Sequence, residues 1–592
     1  MILQSLHALY GRLKDDPAYE IAPPGYSLQK ITFKIVLRPD GTLHAIEDAR
    51  VGERKSARQV RVLGVAKPPG SGLNPCFLWD NTVYLLGFKP EDEKPERSRA
   101  AFEAFRKRHL EAEAAINSRA FSAVCRFLES WVPENAAAHP VLGEIATGFG
   151  VFQLIAEPRL VHQDEAVDRW WRTQCVGADS NATSGECLLT GAWGPIARLQ
   201  PMIKGIYGGR ALSSLIGFND AAYESYGKEQ SFNAPVGEDA AFEYGSALNA
   251  LLDGPMKARH RTSIGDMTVA FWTDRPSTVE DVFAPFAQFG SDAARTEDVQ
   301  DETLRQKLSA FLDALRQGEE EYGDLDASPD TTQFFILGLS PNAARLSVRL
   351  FLQGSVHELL DHLRQHYRDM GIERQHGEDS KGPDPEFPAN WMLLRQTARE
   401  SDDIPPVLAG PLMRAILTGS RYPDGLFASV IRRIRADREI NYLRACVIKG
   451  HLVRNQNIEV SMSLDIERTD PAYRVGRLFA ALEKTQADAL GSVGASIRDR
   501  YYSAASATPR SVFPRLLRTY QHHLGNPNLS GGLKVMREKL VQEIIGPITE
   551  FPAHLNLTDQ GLFAIGYYHQ MQEFYRKKES QEQTIEDNHQ EK

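Results

Sequence analysis

The sequence predicts an α+β protein in which a mixed α/β N-terminal region with small antiparallel sheets precedes an α-helical bundle as the C-terminal domain. Two observations predict this division. Before about residue 370, apolar residues alternate with other residues in short stretches, as at Ile31, Phe33 and Ile35, which is typical of half-buried strands. After about residue 390, apolar residues recur every three or four positions, which is typical of amphipathic helices joined into a bundle.

The individual elements follow from the spacing of the apolar residues and from the turn residues between them. In chain order we expect a helix over residues 2–13, a strand over 31–37, a turn at 39–41, a second strand over 43–46, a charged helix pair at the surface over 97–130, strands over 334–339 and 346–351, and helices around 475–482 and 563–574.

Length and composition indicate several domains of an ordinary globular protein. A chain of 592 residues is too long for one core, and its hydrophobic fraction of 42% and charged fraction of 25% are average. We find no run of 18 apolar residues and no basic leader, so we expect a cytoplasmic protein without a membrane partner. Five cysteines without a Cys-x-x-Cys pair favour a reducing compartment over a zinc ribbon or a disulfide framework.

We expect four segments along the chain. Residues 1–150 form an N-terminal α/β region, and residues 151–370 form a second mixed α/β region. Residues 371–389 are polar and rich in glycine and proline, which indicates a linker or mobile loop. Residues 390–592 form the helical domain.

The most distinctive segment is a polar loop over residues 67–75, Lys-Pro-Pro-Gly-Ser-Gly-Leu-Asn-Pro, followed by an apolar block over 77–86. Glycine lets a backbone approach a ligand closely, and the flanking prolines stiffen the loop. The apolar block can anchor the loop in a core. The loop therefore offers five candidate ligand contacts, which are Lys67, Gly70, Ser71, Gly72 and Asn74.

Charge is distributed unevenly around a net value of −10. Residues 1–410 contain 43 Lys and Arg against 58 Asp and Glu, whereas residues 411–520 contain 18 against 10. Phosphate binding responds to local charge, so the basic helical segment is compatible with a nucleic-acid partner. Solvated helix faces are the alternative interpretation. The candidates for a phosphate track are Arg432, Arg433, Arg435, Lys449 and Arg454.

We find no motif of a known catalytic core. The chain has no P-loop, no Gly-x-Gly-x-x-Gly and no Gly-x-Ser-x-Gly, and His362 and His366 lack the glutamate of a metalloprotease motif. We therefore expect no enzymatic activity, no cofactor and no metal. A nuclease with a divergent active site, and a scaffold that contacts only proteins, are the two alternatives.

Five segments in order resemble the large subunit of the type I-C CRISPR effector complex, Cascade. They are residues 1–4 (Met-Ile-Leu-Gln), 74–87, 218–235, 340–345 (Ser-Pro-Asn-Ala-Ala-Arg) and 422–454. The chain departs from the family around 97–130 and 371–389, so no role is carried onto those residues.

The resemblance implies a non-catalytic subunit of an RNA-guided antiviral surveillance complex. Such a subunit recognises the protospacer-adjacent motif in double-stranded DNA, assists unwinding and R-loop stabilisation, and helps recruit a helicase-nuclease. Its partners are CRISPR RNA, the target DNA, the backbone and guide-end subunits and the small subunits. Base pairing with the guide reads the remaining target sequence.

The resemblance also assigns roles to residues of this chain. Ser71 and Asn74, with the backbone of Gly70 and Gly72, contact the motif, and Lys67 holds a nearby phosphate. Lys228, Gln230 and Asn233 form a wedge or second loop where the strands separate. The track Arg432, Arg433, Arg435, Lys449 and Arg454 guides single-stranded DNA. Met462 is a candidate start for internal translation, since residues 462–592 resemble the small subunit. An ordinary internal methionine is the alternative.

Overall fold

A computed structural model describes residues 1–52, 56–64, 72–177, 183–208, 213–218, 220–264, 267–289, 302–318, 322–342, 345–375, 384–400, 403–491 and 494–590. The chain forms two compact units. Unit 1 contains residues 3–201 and 217–250, and unit 2 contains residues 202–216 and 251–592. The α+β class is confirmed. The four predicted segments stay a prediction.

Unit 1 combines a five-stranded sheet with helices. Its described elements are α1 (Ile2–Leu13), β1 (Tyr26–Leu37), β2 (Leu43–Asp48), β3 (Arg58–Leu63), β4 (Trp79–Asn81), α2 (Thr82–Leu86), α3 (Pro95–Glu113), α4 (Arg119–Ser130), α5 (Pro140–Ile145), β5 (Phe149–Leu154), α6 (Glu165–Gly177), β6 (Ser184–Glu186), β7 (Trp193–Pro195) and α7 (Glu238–Asp253).

The long strand β1 organises the sheet of unit 1. Its first half pairs antiparallel with β3, and its second half pairs antiparallel with β2. Its other edge pairs parallel with β5, and β4 then pairs antiparallel with β5. The sheet is therefore mixed, whereas the sequence predicted antiparallel pairing. A parallel partner is possible because the chain crosses over through the helices α2 to α5 before it returns as β5.

Helices α3 and α4 supply much of the core of unit 1. Phe102, Phe105, Phe121, Val124 and Leu128 are all buried. The charged faces of this pair lie at the surface, as predicted, but the prediction did not include the contribution of the pair to the core. Its apolar side chains face inward at helical spacing, and the charged residues occupy the opposite faces.

Unit 2 joins a six-stranded sheet to a large helical part, with strand order β10-β11-β12-β13-β9-β8. Its described elements are β8 (Met202–Ile203), β9 (Ser213–Ser214), α8 (Lys257–His260), β10 (Arg261–Ile264), β11 (Met267–Thr273), α9 (Val279–Phe289), α10 (Glu302–Gln317), α11 (Tyr322–Leu325), β12 (Gln333–Asn342), β13 (Arg345–Ser355), α12 (Val356–Met370), α13 (Asn390–Arg395), α14 (Pro406–Thr418), α15 (Asp424–Asp437), α16 (Tyr442–Gln456), α17 (Pro471–Leu490), α18 (Ile497–Ala505), α19 (Pro509–Leu524), α20 (Gly531–Ile545) and α21 (Leu557–Gln590).

The predicted strands over 334–339 and 346–351 are confirmed as parts of the antiparallel pair β12 and β13. Of the predicted linker, residues 376–383 lie outside the described residues, and Ile372 and Phe387 on either side are buried. Within the described ranges, no helix has the length and apolarity needed to cross a bilayer.

Two glycines let α17 and α21 cross closely. A Cβ atom at Gly476 would lie 2.0 Å from the carbonyl oxygen of Phe563, and one at Gly566 would lie 2.1 Å from that of Tyr473. The backbones are therefore closer than any side chain would permit. The predicted apolar stripe on α17, which includes Val475 and Phe479, is fully buried at this crossing.

Candidate nucleic-acid interface

The structure describes only part of the predicted motif-reading loop. Lys67, Gly70 and Ser71 lie outside the described residues, whereas Gly72 and Asn74 are described and exposed. The backbone of Asn74 hydrogen-bonds to the hydroxyl of Tyr84 on α2. The end of the loop is thus fixed at its backbone, while the Asn74 side chain remains at the surface.

Two polar contacts fasten the chain directly after Asn74. The buried Asp80 carboxylate accepts a hydrogen bond from the Cys76 amide at 2.9 Å. The Arg108 guanidinium, which projects from α3, donates to the Pro75 carbonyl. Both bonds hold main-chain atoms, so they fix the path of the chain at residues 75 and 76 whatever the Asn74 side chain contacts.

His109, the next residue of α3, provides a third anchor. Its Nε2 accepts a hydrogen bond from the Leu78 amide at 2.9 Å, and its Nδ1 lies 2.7 Å from the Phe105 carbonyl. Because Nε2 accepts, the proton is assigned to Nδ1, which donates to that carbonyl. Complete burial lowers the pKa of His109 to about 3, so the ring stays neutral near pH 7. Leu78 itself has a positive φ of 62°, a conformation that the anchor supports.

Phe77 completes the base of the loop. Its ring centroid lies 4.7 Å from that of His109, 4.9 Å from that of Trp170 and 5.6 Å from that of Trp171. Arg108 also lies over the Phe77 ring, at 5.7 Å from its centroid. The prediction that an apolar block anchors the loop in a core is confirmed.

The three residues of the predicted second loop have different surroundings. The side-chain Oδ1 of Asn233 accepts a hydrogen bond from the Ser225 amide at 2.8 Å, and its Nδ2 donates to the main-chain carbonyls of Lys228 and Gln230 at 2.8 and 3.0 Å. The Gln230 side chain accepts from Arg198 at 2.9 Å. Asn233 therefore shapes the loop, whereas the side chain of Lys228 is exposed.

Two members of the predicted phosphate track point into unit 2. The Lys449 ammonium donates to the carbonyls of Gly371 and Ser461, and burial lowers its pKa. Arg454 pairs with Asp369 at 2.7 Å, and its side chain is buried. These cations already have internal partners, so their charge does not reach a surface ligand.

The other three track residues lie on α15. Arg432 and Arg435 are exposed. Arg433 pairs at 2.6 Å with Asp437, which also pairs at 2.6 Å with Arg444. Two full positive charges of the predicted track, at Arg432 and Arg435, are therefore presented to solvent.

Three further arginines of the same helical part are exposed, and no sequence motif singled them out. They are Arg500 on α18 and Arg515 and Arg518 on α19, and none of them pairs with a described carboxylate. Helix α18 contacts both neighbouring helices: the Ser503 hydroxyl donates to the Arg435 carbonyl of α15 at 2.9 Å, and Arg515 of α19 lies over the Tyr501 ring at 5.6 Å from its centroid. We call this set the basic ridge: Arg432, Arg435, Arg500, Arg515 and Arg518.

The sequence contained a signal for the α19 part of this ridge. Residues 509–524 include three arginines and two histidines but no aspartate or glutamate. An amphipathic helix without acidic residues has nothing on its outer face to neutralise its cations.

Met462, the candidate internal start, lies in the irregular segment between α16 and α17, with its side chain exposed and its carbonyl bonded to the Glu373 amide. Internal translation stays a prediction.

Of the two histidines considered as metal ligands, His362 and His366, the second is buried, and its Nδ1 lies 2.7 Å from the Tyr422 hydroxyl. Among the described residues, no group of three or more His, Cys, Asp and Glu side chains is placed to hold a metal ion.

Comparison with known families gives one match along nearly the whole chain. A family model described as CRISPR-associated protein (Cas_Csd1) matches residues 6–575. No curated protein matches the sequence.

Proposed function

The chain belongs to the Cas_Csd1 family of CRISPR-associated proteins, which makes it a component of a CRISPR effector complex, and on that premise we propose that it is the large, non-catalytic subunit of a type I-C complex. Its task is to recognise a short motif in duplex DNA and to help open the adjacent base pairs. Base pairing between guide RNA and target then reads the remaining sequence.

The observation that carries this proposal is the construction of the loop that ends at Asn74. An amide side chain can donate to and accept from base edges, but it discriminates only if its backbone is held in one place. The bonds from Asp80, His109 and Arg108 hold the backbone of residues 75–78, directly after the exposed Asn74. An exposed amide side chain beside a fixed stretch of backbone is suited to reading a few base pairs.

The basic ridge supports a second part of the proposal, the holding of a displaced single strand. Its five arginines belong to one unit and, in the described part of the chain, form no carboxylate pairs. Unpaired cations release counterions when they bind phosphates, so they contribute affinity that falls with salt. We assign this role to the ridge and leave out Lys449 and Arg454, because their charges are satisfied internally.

The remaining parts of the proposal follow from the resemblance. The chain contacts CRISPR RNA, the guide-end and backbone subunits and the small subunits in the cytoplasm, and it helps to recruit a separate helicase-nuclease. Residues 462–592, produced by internal translation from Met462, supply the small subunit.

The decisive experiment compares Asn74→Ala with the wild type in the assembled complex. Binding to a target duplex and to one with a scrambled motif is measured at several salt concentrations. We expect Asn74→Ala to lose about 1–3 kcal/mol of discrimination, which is the value of one good base contact. Asn117→Ala, at an exposed asparagine between α3 and α4, is the matched control and should bind like the wild type.

If Asn74→Ala discriminates the two duplexes as well as the wild type does, Asn74 does not read the motif. If wild-type complex binds both duplexes equally, the chain does not recognise a motif at all. Metal-dependent cleavage of DNA by the purified chain, abolished by one carboxylate substitution, would instead establish the nuclease alternative.

A further inference from the structure

The turn at residues 225–228 has an unusual residue at its apex. Tyr226 and Gly227 both have positive φ, of 54° and 67°, and the Lys228 amide donates to the Ser225 carbonyl at 3.0 Å. These features define a type I′ turn, whose two central positions favour asparagine and glycine. An aromatic residue at the first of them is disfavoured by its Cβ atom.

A tyrosine at this position has no packing role in the described part of unit 1. The Tyr226 side chain is 99% exposed, so it contributes no packing to unit 1. Single exposed aromatic residues are common, but exposure together with an unfavourable backbone conformation leaves the residue without a structural reason. Strain of this kind persists where the surroundings enforce it, and Asn233 enforces it here through its three bonds to the loop.

We infer that Tyr226 is a stacking platform for an unpaired base of the target DNA beside the recognised motif. The inference rests on the proposed function, because it requires DNA that is opened within the complex. A rigid turn that carries a single aromatic ring can enter a gap between bases, and a tyrosine face stacks on any base without reading its identity.

The charges around the turn favour a base over the phosphate backbone as the ligand. Glu224 and Glu229 flank the apex and are exposed, whereas Lys228 is the only basic side chain between residues 217 and 237. Lys228 and Arg198, which bonds to the Gln230 side chain, balance these two carboxylates, so the turn has no excess positive charge to attract phosphates and the uncharged ring is its distinctive feature. This contact should therefore leave the salt dependence of binding unchanged.

The test uses the assembled complex and two target duplexes that carry the motif. One is fully paired and the other is mismatched over the first base pairs, and both contain 2-aminopurine next to the motif to report unstacking. Tyr226→Asn removes the ring but keeps a residue that the turn favours, and Tyr226→Phe keeps the ring. Trp193→Ala is the control, since Trp193 is another aromatic residue of unit 1 with 77% exposure but no positive φ.

We expect Tyr226→Asn to slow the opening of the paired target about tenfold, which is within the range for loss of one base–aromatic stack. The mismatched target should open at the wild-type rate, because its bases are already separated. Tyr226→Phe and Trp193→Ala should stay within about twofold of the wild type, and the salt slope should be the same for all.

Equal opening of the paired target by Tyr226→Asn and the wild type would overturn the inference and leave the proposed function intact. If Tyr226→Asn slowed the opening of the paired and the mismatched target equally, the inference would also be overturned, because the residue would then contribute to binding and not to strand separation. Loss of complex assembly would assign Tyr226 to a protein contact instead. If the wild type itself does not distinguish motif from scrambled duplex, the proposed function fails and this inference fails with it.

Discussion

Replacement of His109 by phenylalanine should loosen the loop that carries Asn74. Phenylalanine preserves the aromatic stack with Phe77, but it removes the Nε2 atom that accepts the Leu78 amide. That amide is buried, so the variant leaves a donor without an acceptor. The perturbation thus isolates one hydrogen bond beneath the loop.

The expected magnitude depends on pH in a way that distinguishes this bond from general packing. At pH 7.5 the variant should lose about 1–3 kcal/mol of local stability, the cost of a buried unsatisfied amide. In the wild type, His109 has a pKa of about 3 in the folded state, against about 6.5 when it is exposed. As the pH falls below 6.5, His109 binds a proton in the locally unfolded state but not in the folded state, so the wild type loses stability.

Between pH 7.5 and pH 5 this linkage should cost the wild type about 2 kcal/mol, since 1.5 pH units below 6.5 correspond to about 1.36 kcal/mol each. Phenylalanine does not titrate, so the variant should not share this loss. The stability difference between wild type and variant should therefore shrink at pH 5 to about 1 kcal/mol or less.

Hydrogen–deuterium exchange of the peptide over residues 72–81, measured in the intact chain and corrected for intrinsic rates, reports this local opening. At pH 7.5 we expect protection to fall about 5- to 150-fold in His109→Phe, which corresponds to the free-energy range above. His44→Phe, at an exposed histidine of β2, is the control and should leave this peptide unchanged. Unaltered protection in His109→Phe at pH 7.5 would refute the assigned anchor. A loss of protection relative to the wild type that is larger at pH 5 than at pH 7.5 would refute it too.

Three further predictions concern the scaffold. Gly476→Ala places a Cβ atom 2.0 Å from a backbone oxygen and should lower stability by about 1–3 kcal/mol or more in thermal unfolding, whereas Gly143→Ala, with nothing within 4 Å, should not destabilise. Asn233→Ala removes three loop bonds and should raise the rate of proteolysis at residues 225–233 about tenfold without changing circular dichroism; an unchanged rate would contradict its scaffolding role. Glu543→Ala leaves the fully buried Arg477 without its carboxylate and should cost about 3–5 kcal/mol, while Arg477→Met leaves a carboxylate that is 43% exposed and should cost less in the same denaturant titration.

Local patterns were sufficient for much of the architecture. The helix over residues 2–13, the strands in β12 and β13 and the buried stripe of α17 all follow from periodicities that span a few residues. Such patterns predict the structure because the hydrophobic effect buries the apolar face of each helix or strand. The apolar block after Asn74 was predictable for the same reason.

The anchors of the loop were not predictable in that way. His109 and Arg108 belong to a segment that reads as a charged surface helix, and their contacts with Leu78 and Pro75 join residues 31 and 33 positions apart. A sequence pattern records which face of a helix is apolar, but it does not record which distant chain segment covers that face.

By itself, the sequence determined the α+β class, the change to a helical second half and the family to which the chain belongs. Only the tertiary structure decided which cations face solvent. Lys449 bonds to a carbonyl 78 positions away and Arg454 to a carboxylate 85 positions away, whereas Arg515 and Arg518 have no described carboxylate partner. The physical reason is that formal charge belongs to a residue, but its availability to a ligand depends on neighbours that folding brings from elsewhere in the chain.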